Sequence, residues 1–168
     1  LLPGIDTDTF HTRHRDPGIW NTLPGVRPDA VKVLYVGRVS VEKNLPMLAA
    51  IWPRIAAACI RDNLNAQLII VGDGPYRVPF QQTLAHAGLA ESAQFLGFRH
   101  GAELSAIYAS SDLFVFPSTT DTLGQVVMES QSAGLPVIVT DQGGPSEVVD
   151  DGITGFVLGA NSSDHDLW

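Results

Sequence analysis

Phe114-Val115-Phe116-Pro117-Ser118-Thr119-Thr120-Asp121-Thr122-Leu123-Gly124-Gln125-Val126-Val127-Met128-Glu129-Ser130-Gln131-Ser132-Ala133-Gly134 is the stretch around which the chain is organised. An apolar run ends at Pro117, a polar loop follows, and an amphipathic segment opens behind it. Thr122 and Gln125 have capping-box spacing, which predicts a helix starting at or next to Thr122. The N–H groups of Leu123, Gly124 and Gln125 then fall in its first turn, where helical partners are missing and anions are attracted. Asp121 precedes that turn and Glu129 follows eight positions later. At ~1.5 Å rise per residue the two acids start roughly 10 Å apart along the axis. That spacing suits a ligand with two polar ends and a phosphate between them. The plainer reading makes Asp121 a capping acid and Glu129 a solvated one. On a helical wheel Val126, Val127, Ser130 and Ala133 form the packing side, and Glu129 lies with Thr122, Gln125 and Ser132.

Outward from this stretch, apolar runs alternate with helical patterns. Strands are expected at Val31–Val36, Gln67–Gly72, Ala93–Leu96, Leu113–Phe116, Pro136–Thr140 and, at an edge, Gly155–Leu158. The helix through Leu48, Ala49, Ile51, Trp52, Ile55 and Ala58 accepts Pro46 in its first turn, and Pro53 is expected to kink or break it. Shorter helices are expected around Phe80 and Leu84, around Leu104, Ile107 and Tyr108, and around Val148 and Val149. This alternation predicts an α/β, Rossmann-like three-layer domain with a mostly parallel sheet of about six strands. Ligands of such sheets bind beyond the carboxyl ends of the strands. Arg38, Lys43, Gly72, Arg99, Asp121 and Gly143 all follow strands, and together they describe a pocket for anions and polyols. Gly72-Asp73-Gly74 does not complete a dinucleotide fingerprint, since Arg77 stands where a third glycine is needed.

The 168 residues carry a net charge of -8, which argues against nucleic acid or an anionic membrane surface as the main partner. Any attraction for an anion must be local. Cys59, the only cysteine, reads as a buried core thiol. No apolar run is long enough to span a bilayer and no signal-peptide pattern is present. Residues 1–30, rich in Pro, Gly, Asp and Thr, read as a linker arm. Within them Asp6-Thr7-Asp8 is better taken as a turn or cap than as a metal motif, and His11 and His14 as exposed. No cluster has metal-ligand spacing. The first residue is not Met and the tail Asn161–Trp168 is polar, so a piece of a longer protein is expected.

Several motifs resemble one family in the right order over nearly the whole chain. These are Gly37-Arg38 with Lys43, Val71-Gly72-Asp73-Gly74-Pro75, Phe95-Leu96-Gly97, Ser111–Ser118, Asp121 to Glu129, Ala133–Val137, Gly143–Glu147 and Asp151–Gly155. The chain resembles the C-terminal, donor-binding domain of retaining GT-B glycosyltransferases, family four, also called glycosyl transferases group 1. Leu2-Pro3-Gly4-Ile5-Asp6 is similar to that family's interdomain hinge. The resemblance implies one half of a GT-B fold. Residues 1–30 would be the hinge arm and 31–168 the nucleotide-sugar domain, cut short at its C-terminus and without the N-terminal acceptor domain. It implies transfer of a hexose-type sugar from a UDP- or GDP-linked donor with retention, to a sugar, lipid or small-molecule acceptor. The fragment alone would be inactive, and no cofactor other than the donor substrate would be needed.

Position by position, the resemblance gives Arg38 and Lys43 the donor diphosphate and the stabilisation of the leaving group. Leu123, Gly124 and Gln125 would meet phosphate and sugar through backbone amides. Asp121 would bind sugar hydroxyls, Glu129 the ribose, and the backbone near Phe98 and Arg99 the base. The family usually has Glu where Asp121 stands, which places the identity of the sugar in question. A cytoplasmic location is implied, with any peripheral membrane contact residing in the missing domain. A nucleotide-sugar epimerase, a phosphorylase and a non-catalytic nucleotide-sugar module are the alternatives. A glycoside hydrolase would need carboxylates flanking the bond.

Overall fold

The computed structural model describes residues 4–160; the start of the expected hinge and the tail Asn161–Trp168 lie outside the described residues. Six strands form one sheet: β1 Val31–Val36, β2 Ala66–Val71, β3 Ala93–Gly97, β4 Leu113–Phe116, β5 Val137–Thr140 and β6 Gly155–Leu158. Their order is β3-β2-β1-β4-β5-β6 and every pairing is parallel. The order reverses at β1, whose neighbours are β2 and β4. Strands such as Leu68-Ile69-Ile70 are fully buried, as a sheet covered on both faces requires.

Helices α1 (Leu45–Arg61), α2 (Arg77–His86), α3 (Gly101–Ser110) and α4 (Gln125–Ser132) supply the outer layers. Side-chain alternation along β4 separates the two faces. Phe114 turns to Tyr108 of α3, ring centroids 5.9 Å apart, whereas Leu113 and Val115 line a groove with Trp52 and Ile55 of α1. Gly88 and Gly134, both with positive φ, follow the ends of α2 and α4.

Two expectations about α1 are corrected. Of the kink or break expected at Pro53, the break does not occur, and the helix continues to Arg61. A proline in a helix interior costs about 3 kcal/mol, and burial of Met47, Leu48 and Ile51 offsets it at about 1.5–3 kcal/mol each. Trp52 adds an indole hydrogen bond to Ser92 Oγ at 2.9 Å. Cys59 is only half-buried and lines the groove, an apolar cleft of about 250 Å³ also bounded by Val33, Leu64 and Ile138. The groove runs over Leu113, Val115 and Ile138 of β4 and β5, so the thiol stands at a cleft wall, packed against the edge of the core.

The segment before β1 is tied to the sheet through two short 3-10 turns, Thr12–His14 and Pro17–Asn21. Ile19, Trp20, Leu23 and Val26 are buried against the core. Trp20 donates its indole N–H to Ser110 O, and the buried Gln67 accepts from Arg27 N and donates to Gly25 O. Asp6 accepts from the N–H groups of Asp8 and Thr9, the turn expected of it.

Candidate functional site: the switch point between β1 and β4

The loops leaving β1 and β4 meet where the strand order reverses. After β1 the chain turns at Gly37, whose N–H bonds Val71 O, and Val39 N bonds Asp73 O. Gly72 permits this approach: a Cβ there would lie 2.0 Å from Gly37 O. The buried Tyr35 donates its hydroxyl to Arg38 O at 2.9 Å, fixing the backbone from which the arginine projects. Burial pushes the Tyr35 phenol far up, so it remains a donor. The Arg38 guanidinium is 66% exposed and pairs with Glu42, 3.5 Å away, a pairing of little energy in solvent.

Lys43 ends the 3-10 turn Val41–Lys43 and reaches across to the β4 loop. Its ammonium bonds both carboxylate oxygens of Asp121, each at 2.8 Å. The structure therefore brings together two residues 78 positions apart, one expected at the diphosphate and the other at the sugar of a ligand. Both side chains are about one-quarter exposed. Two of the three ammonium protons are used, and one remains to be offered outward.

The β4 loop is held on three sides. Thr140 Oγ1 donates to Ser118 O, Thr120 Oγ1 donates to Glu42 O, and Gly144 N donates to Asp121 O. The start of the following helix is a correction to the sequence reading. The helix begins at Gln125, no side chain caps it, and Gly124 adopts φ 66, ψ 43. A left-handed residue cannot belong to a first turn opened at Thr122, so the capping box does not form. The surroundings are close on this side: a Cβ on Gly124 would lie 3.0 Å from Pro145 Cα, and one on Gly144 would meet Thr122 O at 2.0 Å. Leu123 and Gly124 thus precede the helix. Their N–H groups and that of Gln125 make no hydrogen bond among the described residues. A left-handed residue followed by a right-handed one aims successive amides into a concavity suited to an anion.

Glu129 is not solvated, as the plainer reading had it, but buried, with Val127 and Ser130, to 9% exposure. Tyr108 Oη donates to its Oε2 at 3.0 Å and Gln125 Nε2 to its Oε1 at 3.4 Å. Burial raises its pKa, and the hydrogen bonds from Tyr108 and Gln125 partly oppose the rise. Tyr108, missed as a site residue, carried only the signal of a core aromatic on a helix.

Phe98 and Arg99 follow β3, three places from β4 in the sheet order. Phe98 is 66% exposed. Arg99 donates to Phe98 O at 3.0 Å and pairs with Glu103 at 3.0 Å, so its charge is directed back onto α3. No hydrogen bond or ion pair among the described residues joins these two to Asp121 or Glu129. Asp73 and Arg77, paired at 3.3 Å, also border this edge and were not singled out as binding residues.

A doubly wound domain whose charged and polar loops meet at its switch point is the class that this geometry defines, and comparison with known proteins agrees on the class. The model for glycosyl transferases group 1 matches residues 30–167, and the chain belongs to that family. It is 38% identical over 156 residues to a GDP-mannose-dependent alpha-mannosyltransferase of Mycolicibacterium smegmatis, covering 92% of this chain and 37% of the relative. It is 34% identical over 158 residues to the sulfoquinovosyl transferase SQD2 of Arabidopsis thaliana, covering 92% of this chain and 29% of the relative. Anabaena Alr3699/HepE, solved in complex with UDP, superposes with a TM-score of 0.78 at 25% identity, over 96% of this chain and 43% of that one. The chain thus spans less than half the length of these relatives, and its fold is one half of a GT-B architecture.

Proposed function

We propose that this chain is the donor-binding half of a retaining hexosyltransferase that takes its sugar from a UDP- or GDP-linked donor. The observation that carries the reading is the Lys43–Asp121 pair at the switch point, beside three amides without partners among the described residues and ahead of the buried Glu129. At about 4.8 Å between strands, the β3 and β4 loops lie roughly 14 Å apart, the reach of an extended nucleoside diphosphate. The base lies along the backbone at Phe98 and Arg99, the ribose meets Glu129, and the diphosphate lies between Arg38, Lys43 and the amides of Leu123, Gly124 and Gln125. Asp121 receives hydroxyls of the sugar, with Leu123 and Gly124 beside it. The relatives that use GDP-mannose and the neighbour that holds UDP support this class of ligand.

Bond breaking at the anomeric carbon leaves negative charge on the terminal phosphate of the nucleoside diphosphate. The Arg38 fork and the third Lys43 proton face that charge, and the amide concavity adds fixed dipoles without reorganisation. Acceptor binding belongs to a second domain, so this half by itself binds donor without transferring sugar. The reading also places the protein in the cytoplasm, where nucleotide sugars are made.

Calorimetric titration with a panel of UDP- and GDP-sugars, alongside Arg38→Ala and Glu129→Ala, tests the reading. One donor should bind, and each substitution should weaken it by about tenfold or more, the worth of a charge-assisted hydrogen bond. A two-domain protein that binds no member of the panel would sink the proposal.

A further inference from the structure

We propose that Tyr108 is a positioning residue that aims the Glu129 carboxylate at the ribose hydroxyls of the bound nucleotide. The inference rests on the ribose reading of Glu129 above. A vicinal diol is held best by a carboxylate whose two oxygens are both fixed in direction, and a buried carboxylate with no donor has no reason to keep one rotamer. Tyr108 supplies that fixed donor, its hydroxyl 3.0 Å from Oε2.

The direction of the hydroxyl is set by the ring, and the ring is held on more than one side. Tyr108 is fully buried. Phe10 meets it edge-on at 5.3 Å with an interplanar angle of 86°, and Phe114 lies tilted against it at 5.9 Å. Phe10 is fixed in its turn, because Ser132 Oγ of α4 donates to its carbonyl. The helix that carries Glu129 therefore also anchors the aromatic that holds Tyr108.

The second donor to the carboxylate is of another kind. Gln125 is exposed and its amide lies at the long distance of 3.4 Å from Oε1. A ribose hydroxyl can displace that amide, whereas the Tyr108 hydroxyl is shut away from solvent. A carboxylate accepts about four hydrogen bonds. With one lone pair committed to Tyr108, the oxygen facing Gln125 is the one presented to the diol.

Titration of the intact protein with UDP and with GDP, each beside its 2′,3′-dideoxy counterpart, tests this in wild type, Tyr108→Phe, Glu129→Gln and the double variant. Wild type should prefer the ribonucleotide. Tyr108→Phe should reduce that preference by about fivefold, the value of one hydrogen bond, without weakening the dideoxy form. The double variant should be no worse than Glu129→Gln alone, since the two residues act as a unit. A wild-type preference in Tyr108→Phe, with the preference lost in Glu129→Gln, would overturn the positioning role and leave the ribose reading standing. An unchanged preference in Glu129→Gln would overturn the ribose reading itself. Equal weakening of both nucleotide forms in Tyr108→Phe would mark the hydroxyl as structural only and overturn the proposal. Should Tyr108→Phe not fold, Phe10→Leu, which keeps the hydroxyl and frees the ring, is read on the same ratio, and no change there overturns the proposal. Failure of both nucleotides to bind the intact protein would overturn proposal and ribose reading together.

Discussion

Asp121 holds the Lys43 ammonium, so on the proposed donor reading a diphosphate competes with Asp121 for Lys43 before any sugar is read. On the same reading the carboxylate sits beside the incoming phosphate charge, and like charges at that range repel. Asp121→Asn should therefore strengthen binding of a bare nucleoside diphosphate, by about fivefold for an interaction near 1 kcal/mol. It should weaken the extra affinity that the sugar contributes. If Asp121 served the sugar alone, calorimetry would find the bare diphosphate unchanged. The shorter acid reinforces the argument, because a glutamate in its place has one more methylene with which to leave the lysine.

Glu129 adds a pH dependence of its own at the same scale. Its folded pKa is raised by burial above the ordinary carboxylate value of about 4.3. A raised pKa means that the folded state favours the protonated form. The stability this provides is fully present below the unfolded pKa and is lost as pH rises through the folded one. Denaturant unfolding at a series of pH values above 4 should show wild type losing stability relative to Glu129→Gln. Parallel curves for the two proteins would contradict the burial argument.

Elements are where sequence and structure part company in an instructive way. Strands such as Val31–Val36, Leu113–Phe116 and Val137–Thr140 were legible because parallel strands buried on both faces are short apolar runs, and turn residues bound them. The post-strand residues Arg38, Lys43 and Asp121 were legible as one edge for the same reason. The start of α4 was not, because the left-handed Gly124 lies against Pro145, and Thr122 and Leu123 against Gly144, all some twenty positions away. Nor was the Tyr108–Glu129 bond, since a core tyrosine and a helix-face acid give no local sign of each other. Pro53 does not end the helix because burial of one helix face outweighs a local breaker. The Gly143-Gly144 loop thus acts as a mould for the loop after β4. Gly144→Ala would place a Cβ 2.0 Å from Thr122 O and 2.8 Å from Leu123 N, both backbone atoms that can yield only by moving the loop. Such overpacking costs about 1–3 kcal/mol. Thermal unfolding should show that loss, and titration should show a donor affinity reduced more than Gly152→Ala reduces it, where nothing lies within 4 Å.

At the scale of the whole molecule, the arm before β1 belongs to the folded unit energetically as well as by connection. Trp20 is 3% exposed, donates to Ser110 O at 3.2 Å, and lies with its ring 5.4 Å from the Lys32 ammonium. Lys32 is itself 1% exposed and satisfied by the carbonyls of Pro28 and Ala30, so the indole forms part of the wall around a buried charge. Burial pulls the Lys32 pKa down, the mark of a charged form that is costly to keep there. Trp20→Ala removes the packing, the indole hydrogen bond and the cover over that charge at once. The expected cost is about 3–5 kcal/mol, as for large-to-small substitutions in a core. Water entering the space left by the indole would restore solvation to the ammonium and hold the loss to the lower part of that range. Trp20→Phe keeps the ring and drops only the N–H, so it should cost about 1 kcal/mol. Chemical denaturation of the three proteins checks the ordering. A loss below about 0.5 kcal/mol for Trp20→Ala would mean that the arm is a passive connection and that the sheet is stable without it.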